Sequence, residues 1–197
     1  MRVLVGIPDL NHSDRYHGYL ASALKRVEAD LAGVEHDVFV SPPACVGSWA
    51  GLVEVQNIIV ERFLSGGYDY LWLVELDVQV PPSSFEKLLG LDVDVACGYV
   101  QRHSGDGLIL GFLDEDMHVW YLPQNAVVGN VLSGWVMAGT SCLLIRRRVF
   151  LGGYRFRFRS NVTPDILFMF DVQQAGFVAK VHGDVLCGHL PQFPLEC

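Results

Sequence analysis

Short apolar runs and helical repeats alternate along the first half of the chain, up to the two prolines at positions 81 and 82. The runs at residues 2–7, 36–40 and in the first half of 68–82 are rich in branched and aromatic side chains, which predicts three strands. Between them, apolar residues recur every three or four positions, which predicts two amphipathic helices ended by glycines at 33 and 66–67. Two strand–helix units followed by a third strand are typical of a parallel sheet, so we predict an α/β fold.

The second half of the chain contains shorter elements. We predict a helix at 83–89 with Ser83 as its N-cap, a strand at 92–100, and a hairpin whose strands, 108–113 and 117–122, flank three acids. Residues 141–146, 177–182 and 185–187 are further apolar strands, and a helix begins at Thr163-Pro164 and ends at Gly176. Residues 154–159 alternate between aromatic residues and Arg, which predicts a strand with one basic face.

The third strand ends in two acids, Glu75 and Asp77, shortly before the prolines. Residues two apart on an extended chain point to the same side, so both carboxylates are expected to face one spot at the carboxyl end of the strand. That edge is where ligands bind in open α/β sheets. Two interpretations remain open from these residues alone. Either a cation is bound there, or one acid caps the following turn while the other is solvated.

Composition places the 197-residue chain among well-buried globular proteins, with 51% hydrophobic and 18% charged residues, and we expect one domain over residues 1–197. The net charge of −8 argues against nucleic acid as a partner. From Met117 to Pro164, however, there is no Asp or Glu, and six arginines lie in the segment Arg146–Arg159. This segment is either a solvated surface, a site for a phosphate-bearing acceptor, or a peripheral contact with an anionic membrane.

Several classes of protein are disfavoured by motifs that the sequence lacks. The five cysteines are odd in number and widely spaced, which argues against a disulfide framework and favours a reducing compartment. No signal peptide and no apolar run of roughly 18 residues is present, so we expect a soluble, cytoplasmic protein without a transmembrane segment. Neither G-x-G-x-x-G nor a P-loop occurs, which argues against hydride transfer on NAD and against P-loop phosphoryl transfer.

The order of several motifs resembles a known family. After the acidic strand end come DVACGYV, MAGTSCLLIRRRVF, TPDILFMFDVQQAGF and DVLCGHL. This order, from Arg2 to about residue 190, is similar to nucleotide-sugar glycosyltransferases of the GT-A fold, most closely the inverting group of family 2, and the compact length resembles viral members. The resemblance implies an open, mixed, mostly parallel sheet flanked by helices. It also implies metal-dependent transfer of a sugar, with inversion, from a nucleotide-sugar to an acceptor hydroxyl, in the host cytoplasm if the protein is viral.

The same resemblance implies a metal site. Glu75-Leu76-Asp77 is similar to the family's D-x-D triplet, in which the last acid binds the divalent cation and the first supports the nucleotide. Asp77 is therefore the expected ligand for Mn²⁺ or Mg²⁺, and Glu75 is expected at the nucleotide. His189 matches a position that often supplies a further ligand, and an imidazole ligand would favour Mn²⁺ over Mg²⁺.

The resemblance further implies a general base and a nucleotide-binding loop. Asp165 matches the acid that takes the acceptor's proton in inverting members, although Pro164 stands where that motif has Glu. Pro8 and Asp9 match the nucleotide-binding loop after the first strand. The family's acidic cluster after the second strand is absent, because this chain has Ser41-Pro42-Pro43 there.

Residue chemistry leaves alternatives beside this reading. An acid in the first turn of a helix, as Asp165 would be, is favoured there by the helix dipole, which lowers its pKa and its basicity. Trp135 is either a stacking platform for an acceptor sugar or a core residue. The acceptor itself could be a glycan, a lipid-linked sugar or a protein. Two other functions stay open: a sugar nucleotidyltransferase, and a non-catalytic sugar-binding or assembly module.

Overall fold

A large mixed sheet forms the centre of the molecule. The computed structural model describes residues 1–9, 13–43, 49–101 and 107–189. The strands of the large sheet are ordered β2-β1-β3-β10-β5-β11-β4, and β8 pairs with part of β11. The parallel strands are β1 (Arg2–Ile7), β2 (Glu35–Val40), β3 (Tyr70–Val74), β5 (Val95–Val100) and β11 (Ala179–His189). Antiparallel to these run β4 (Val78–Gln79), β8 (Val131–Ser133) and β10 (Cys142–Arg146).

Helices cover both faces of this sheet, because side chains alternate between the faces along each buried strand. On one face, Val3, Trp72 and Leu144 pack with α1 (Ser13–Asp30) and α3 (Ser84–Gly90). On the other face pack α2 (Trp49–Gly66), α4 (Arg147–Leu151) and α5 (Pro164–Gln174). A second, three-stranded sheet, β7-β6-β9, consists of β6 (Leu110–Leu113), β7 (Val119–Tyr121) and β9 (Val136–Ala138). The predicted α/β class, the mostly parallel sheet and the acidic hairpin are confirmed.

Helix α2 lies directly against β1. A Cβ added at Gly6 in β1 would come within 2.4 Å of Ile59 Cγ2, so only glycine allows this close approach. The contact fixes the height of α2 above the sheet, and with it the position of the buried Gln56.

The prediction that the Ser83 side chain caps α3 is wrong. Ser83 occupies the N-cap position, but it has φ 61° and its side chain makes no capping bond. Instead, the carboxylate of Asp30 at the end of α1 accepts hydrogen bonds from the backbone N–H groups of Ser83 (2.8 Å), Ser84 (2.8 Å) and Phe85 (3.3 Å). A carboxylate satisfies several of the unpaired N–H groups of a helix start and interacts favourably with its dipole.

Two predicted strands differ in the structure. The closing strands at 177–182 and 185–187 are one strand, β11, whose register with β5 shifts between Val181 and Leu186. Residues 154–158 form no strand, although Arg159 makes an isolated bridge with Val162. Side chains of this segment nevertheless point in different directions. Phe156 is buried, while Arg155 and Arg157 each contact an acid on a neighbouring helix.

The described cysteines, Cys97, Cys142 and Cys187, are buried free thiols in the sheet. Cys45 and Cys197 lie outside the described residues. Within the described ranges, the helices include none that is long and apolar enough to cross a membrane.

Candidate functional site

A turn, rather than an extended strand, brings the two acids together. Strand β3 ends at Val74, Leu76 and Asp77 form a turn, and the N–H of Val78 donates to the carbonyl oxygen of Glu75 at 3.1 Å. The expectation of an extended chain through the pair is therefore wrong, but the predicted convergence holds. One ligand atom each from Glu75, Asp77 and His189 lie within 4.8 Å of one another.

His189 reaches the acids through strand pairing. It is the last residue of β11, and it pairs with Val78 in the short strand that follows the acidic turn. Its ring nitrogen Nδ1 lies in hydrogen-bonding contact with the carbonyl oxygen of Gln101. Because a carbonyl can only accept, Nδ1 carries a proton, and in the neutral ring Nε2 then carries the lone pair. Metal-binding histidines commonly have their tautomer and orientation fixed in this way.

Two hydroxyl groups orient the carboxylate of Glu75. Thr140 donates to Oε1 at 3.0 Å and Ser141 donates to Oε2 at 2.7 Å. These residues arrive opposite Glu75 because β10 runs antiparallel to β3, with Cys142 beside Val74. The N–H of Glu75 also donates to the Ser141 carbonyl oxygen at 3.1 Å, which continues the pairing beyond the strand.

The pKa of Glu75 is raised from 4.5 to about 7. Burial is the largest cause, followed by the negative charge of Asp77. The hydroxyl groups of Ser141 and Thr140 act in the opposite direction, while the charge of Asp165 raises the pKa further. Because Asp77 and Asp165 both act on Glu75, the structure brings the predicted metal-site acids and the predicted base into one electrostatic cluster.

Asp165 lies in the first turn of α5, as predicted, with Pro164 at the first helical position. Thr163 donates its hydroxyl proton to Oδ1 of Asp165, and the N–H of Ile166 donates to the same oxygen at 3.0 Å. The pKa of Asp165 is raised, because burial outweighs these hydrogen bonds. The expectation that the helix dipole lowers this pKa is therefore wrong, since the carboxyl group is largely removed from water.

A buried glutamine fixes α5 relative to the rest of the site. Oε1 of Gln173 accepts from the N–H of Val136 at 3.0 Å, and Nε2 donates to the Val136 carbonyl oxygen at 2.9 Å. The side chain thus pairs with β9 as a neighbouring strand would. Since β9 leads into Thr140 and Ser141, this contact joins the helix that carries Asp165 to the segment that holds Glu75.

The predicted nucleotide-binding residues Pro8 and Asp9 follow β1, which pairs with β3 and ends at the same edge of the sheet. Both residues are buried. The N–H of Asp9 donates to the hydroxyl oxygen of Ser41 at 2.9 Å, which ties the loop after β1 to the loop after β2. Ser41 thus has a structural role in this loop.

Most arginines of the Arg146–Arg159 segment contact neighbouring groups, so the basic face predicted for residues 154–159 is partly neutralised. Arg146 pairs with Asp92 and Arg148 with Asp94, while Arg147 donates to the carbonyl oxygens of Phe63, Leu64 and Tyr68 near the end of α2. Arg155 contacts Glu61 at 3.1 Å, and Arg157 binds Asp171 through two hydrogen bonds of 2.6 and 2.7 Å. These contacts account for most of the positive charge and favour the interpretation of a solvated surface whose charges are paired within the fold.

The indole of Trp135 packs edge-on against Phe170 of α5, with ring centroids 5.5 Å apart. The residue is partly buried against the main core. The geometry therefore favours the packing interpretation of Trp135 over the stacking platform.

The donor set of Glu75, Asp77 and His189 fits a hard divalent cation. Ligand atoms that bind Mg²⁺ at about 2.1 Å lie roughly 3–4 Å from one another. The three ligand atoms here lie within 4.8 Å of one another, so only small side-chain movements are needed to bind the cation. The two carboxylates suit both Mg²⁺ and Mn²⁺, and the imidazole favours Mn²⁺. Glu75 thus lies among the potential ligands, whereas the sequence predicts a role at the nucleotide.

Thr140, Ser141 and Gln56 are site residues that sequence reasoning missed. Nε2 of Gln56 donates to the hydroxyl oxygen of Thr140 at 3.1 Å. Gln56 had a detectable signal, because it is a polar residue in the apolar stripe of α2, between Leu52 and Ile59. The two hydroxyl residues had none, because only the antiparallel insertion of β10 beside β3 places them at Glu75.

Comparisons with known proteins support the fold. No protein-family model and no curated protein matches the sequence. Among solved structures, the chain is similar to A197 from STIV, with a TM-score of 0.64 and 17% identity over 96% of this chain and 86% of that one. It is also similar to the catalytic domain of Drosophila β1,4-galactosyltransferase 7, solved with xylobiose, with a TM-score of 0.59 and 14% identity over 100% and 76%. The protein therefore has the GT-A-like fold expected from its sequence.

Proposed function

We propose that the protein is a divalent-cation-dependent glycosyltransferase that moves a sugar, with inversion, from a nucleotide-sugar to an acceptor hydroxyl. The observation that carries this proposal is the convergence of Glu75, Asp77 and His189 at the carboxyl edge of the sheet, with Asp165 close enough to act on the pKa of Glu75. The similarity to a galactosyltransferase catalytic domain is consistent with a hexosyl donor.

Asp77, Glu75 and His189 would hold Mn²⁺ or Mg²⁺. Such a cation supplies positive charge beside the diphosphate, which leaves as an anion when the glycosidic bond breaks. Glu75 contributes its negative charge only when it is ionised, so its raised pKa links cation binding to pH near neutrality. Pro8 and Asp9 would contact the nucleotide from the neighbouring loop.

Asp165 is the proposed base. It takes the proton of the acceptor hydroxyl while that oxygen forms a bond to the anomeric carbon. The bond from this carbon to the diphosphate oxygen breaks in the same displacement, so the configuration inverts. The bonds from Thr163 and Ile166 engage Oδ1, which leaves Oδ2 to receive the proton. Burial raises the pKa of Asp165 and so makes it a stronger base than an exposed aspartate.

We also propose that the protein works in a reducing cytoplasm. Cys97, Cys142 and Cys187 are buried free thiols in adjacent strands of the sheet, which supports this location. The acceptor, whether a glycan, a lipid-linked sugar or a protein, would approach from the side of Asp165.

Calorimetry with a panel of nucleotide-sugars, with and without Mn²⁺, tests the proposal. We expect at least one donor to bind more tightly in the presence of Mn²⁺, and Asp77→Ala to remove that metal dependence. Asp116→Ala is the matched control, because Asp116 is an exposed acid in the turn between β6 and β7, is not among the potential metal ligands, and should leave binding unchanged. Failure of every donor to bind in both conditions would rule out the glycosyltransferase assignment, and binding without turnover would favour a non-catalytic module.

A further inference from the structure

Gln56 is a buried polar residue whose hydrogen bonding is incomplete. Its side chain is fully enclosed, on the face of α2 that otherwise carries Leu52, Val55 and Ile59. Nε2 donates to the hydroxyl oxygen of Thr140 at 3.1 Å, but within the described part of the chain Oε1 has no hydrogen-bond partner. A buried carbonyl oxygen without a donor lowers stability, and an apolar residue of similar size would avoid that cost.

Hydrogen-bond counting shows what the amide contributes. The hydroxyl of Thr140 has one proton, and when Glu75 is ionised, as it is at pH 8, this proton goes to Oε1 of Glu75 at 3.0 Å. Its oxygen can then only accept from Gln56, so Nε2 must face Thr140 and Oε1 must face away. The orphan oxygen is therefore the consequence of aiming the N–H group at Thr140. The chain Gln56–Thr140–Glu75 has a single direction, and it ends on a potential ligand of the cation.

We propose that Gln56 is a positioning residue which, acting through Thr140, fixes the orientation of the Glu75 carboxylate at the cation site. This inference rests on the proposed function. With Thr140 on Oε1 and Ser141 on Oε2, the plane of the carboxylate is held at both oxygens. Loss of the Gln56 donor leaves the Thr140 hydroxyl able to rotate away, and the carboxylate is then held at one oxygen only. Partners that orient a metal ligand commonly contribute about 10–100-fold to metal affinity.

Mn²⁺ binding to Gln56→Leu at pH 8 tests the proposal, with free Mn²⁺ followed by electron paramagnetic resonance. We expect affinity to fall about three- to tenfold, less than for a direct partner of the ligand, because Gln56 acts one residue further away. The melting temperature without metal should not fall, since the substitution removes the orphan oxygen. A purely structural role predicts the reverse, namely a lower melting temperature and unchanged affinity, and that result would overturn the proposal.

Asn57→Leu is the matched control on the same helix. Asn57 donates to the carbonyl oxygen of Phe156 at 2.9 Å and accepts from its N–H at 3.1 Å, so both ends of its amide are used in packing. We expect this variant to lower the melting temperature and to leave Mn²⁺ affinity unchanged. If it weakens Mn²⁺ binding as much as Gln56→Leu does, the effect is not specific and the proposal fails.

Thr140 variants test the same chain independently, in case Gln56→Leu does not fold. Thr140→Val removes the hydroxyl with little change in shape and should lower Mn²⁺ affinity about tenfold or more, whereas Thr140→Ser should restore it. Equal affinity in Thr140→Val and the unmodified protein would overturn the proposal. If the unmodified protein binds no Mn²⁺, the proposed function fails as well; if it binds and the variants bind equally, only this inference fails.

Discussion

Two regions of the molecule concentrate like charges, and they differ in what surrounds those charges. At the carboxyl edge of the sheet, the charged groups that shift the pKa of Glu75 are other acids, Asp77 and Asp165. In the Arg146–Arg159 segment, each of four arginines pairs with an acid, for example Arg148 with Asp94 and Arg157 with Asp171. The first region holds like charges together, while the second neutralises them.

This difference separates a functional cluster from a structural one. A paired charge is accounted for by the fold itself. Burial, together with the charges of Asp77 and Asp165, raises the pKa of Glu75 to about 7. An ionised Glu75 therefore reduces the stability of the folded chain at neutral pH, and a bound cation would offset that cost. Perturbed pKa values are more common at functional sites for this reason. The acidic edge is therefore the better candidate for chemistry, although the basic segment is the more conspicuous in the sequence.

The largest expected effect is on catalysis. Asp165→Asn should lower the rate of sugar transfer by about 10²–10⁴-fold, because the amide cannot accept the acceptor's proton. Donor binding should remain nearly unchanged, since Asn keeps an oxygen for the Thr163 hydroxyl and the Ile166 N–H. Steady-state kinetics and donor calorimetry measure the two quantities separately.

Although Asp165→Asn should lower the transfer rate, it should not lower the stability of the folded protein. Burial raises the pKa of Asp165, so its ionised form is disfavoured in the folded protein, and a neutral amide should leave the melting temperature unchanged or higher. Full transfer activity in this variant would remove Asp165 as the base. A large loss of stability would show that the carboxylate belongs with the structural charges instead.

The next effect concerns pH and Glu75. The pKa of Glu75 is about 7 in the folded protein and 4.5 by reference, so between these values the folded state binds more protons than the unfolded state. Stability from this group is therefore highest below pH 4.5 and falls as pH rises to about 7, by roughly 3 kcal/mol in all. Urea unfolding at pH 5 and pH 8 measures the change.

Glu75→Gln supplies the comparison for that measurement, because it removes the titrating group and keeps the size of the side chain. Between pH 5 and pH 8, this variant should lose less unfolding free energy than the unmodified protein does. Saturating Mn²⁺ should stabilise the unmodified protein at pH 8 and have a much smaller effect on Glu75→Gln. Identical pH profiles for the two proteins would show that Glu75 is not the group destabilised by its neighbours.

The sequence predicts the elements well but not their pairing at the site. Apolar periodicity gives β1, α1, β2, α2 and β3, and the order of the motifs singles out Asp77, Asp165 and His189. What the pattern cannot reveal is the register between distant segments. The pairing of His189 with Val78 and the placement of Ser141 at Glu75 join residues far apart in the chain, and no local pattern encodes either one.

In the Arg146–Arg159 segment, too, the sequence pattern does not reveal contacts with distant parts of the chain. Its alternation of Arg and aromatic residues is a correct guide to the burial of Phe156, but the partners of the arginines lie on other elements. Glu61 is on α2 and Asp171 is on α5, so composition alone predicts an unbalanced basic face, whereas the structure pairs Arg155 and Arg157 with these acids.

The smallest expected effects are on stability, and they concern the ion pairs of the Arg146–Arg159 segment. Arg148→Ala leaves the buried carboxylate of Asp94 with one remaining donor among the described residues, the N–H of Val178 at 3.0 Å, and should lower the free energy of unfolding more than Arg157→Ala does. The pKa of Asp94 is lowered because, although burial alone would raise it, Arg148 and the Val178 N–H outweigh that effect. The contribution of this pair is therefore present above the unfolded pKa and is lost as pH falls, opposite in sign to that of Glu75.

Arg157→Ala breaks a more exposed pair and should cost only about 0.2–1 kcal/mol, because water screens and partly replaces the contact with Asp171. Thermal unfolding with and without 1 M salt measures this effect, which should shrink as salt rises. Mn²⁺ binding and donor binding should be unchanged in both arginine variants, since their charges are matched within the fold. If either substitution weakened Mn²⁺ or donor binding as strongly as Asp77→Ala, the basic segment would have to be counted with the acidic edge as part of the site.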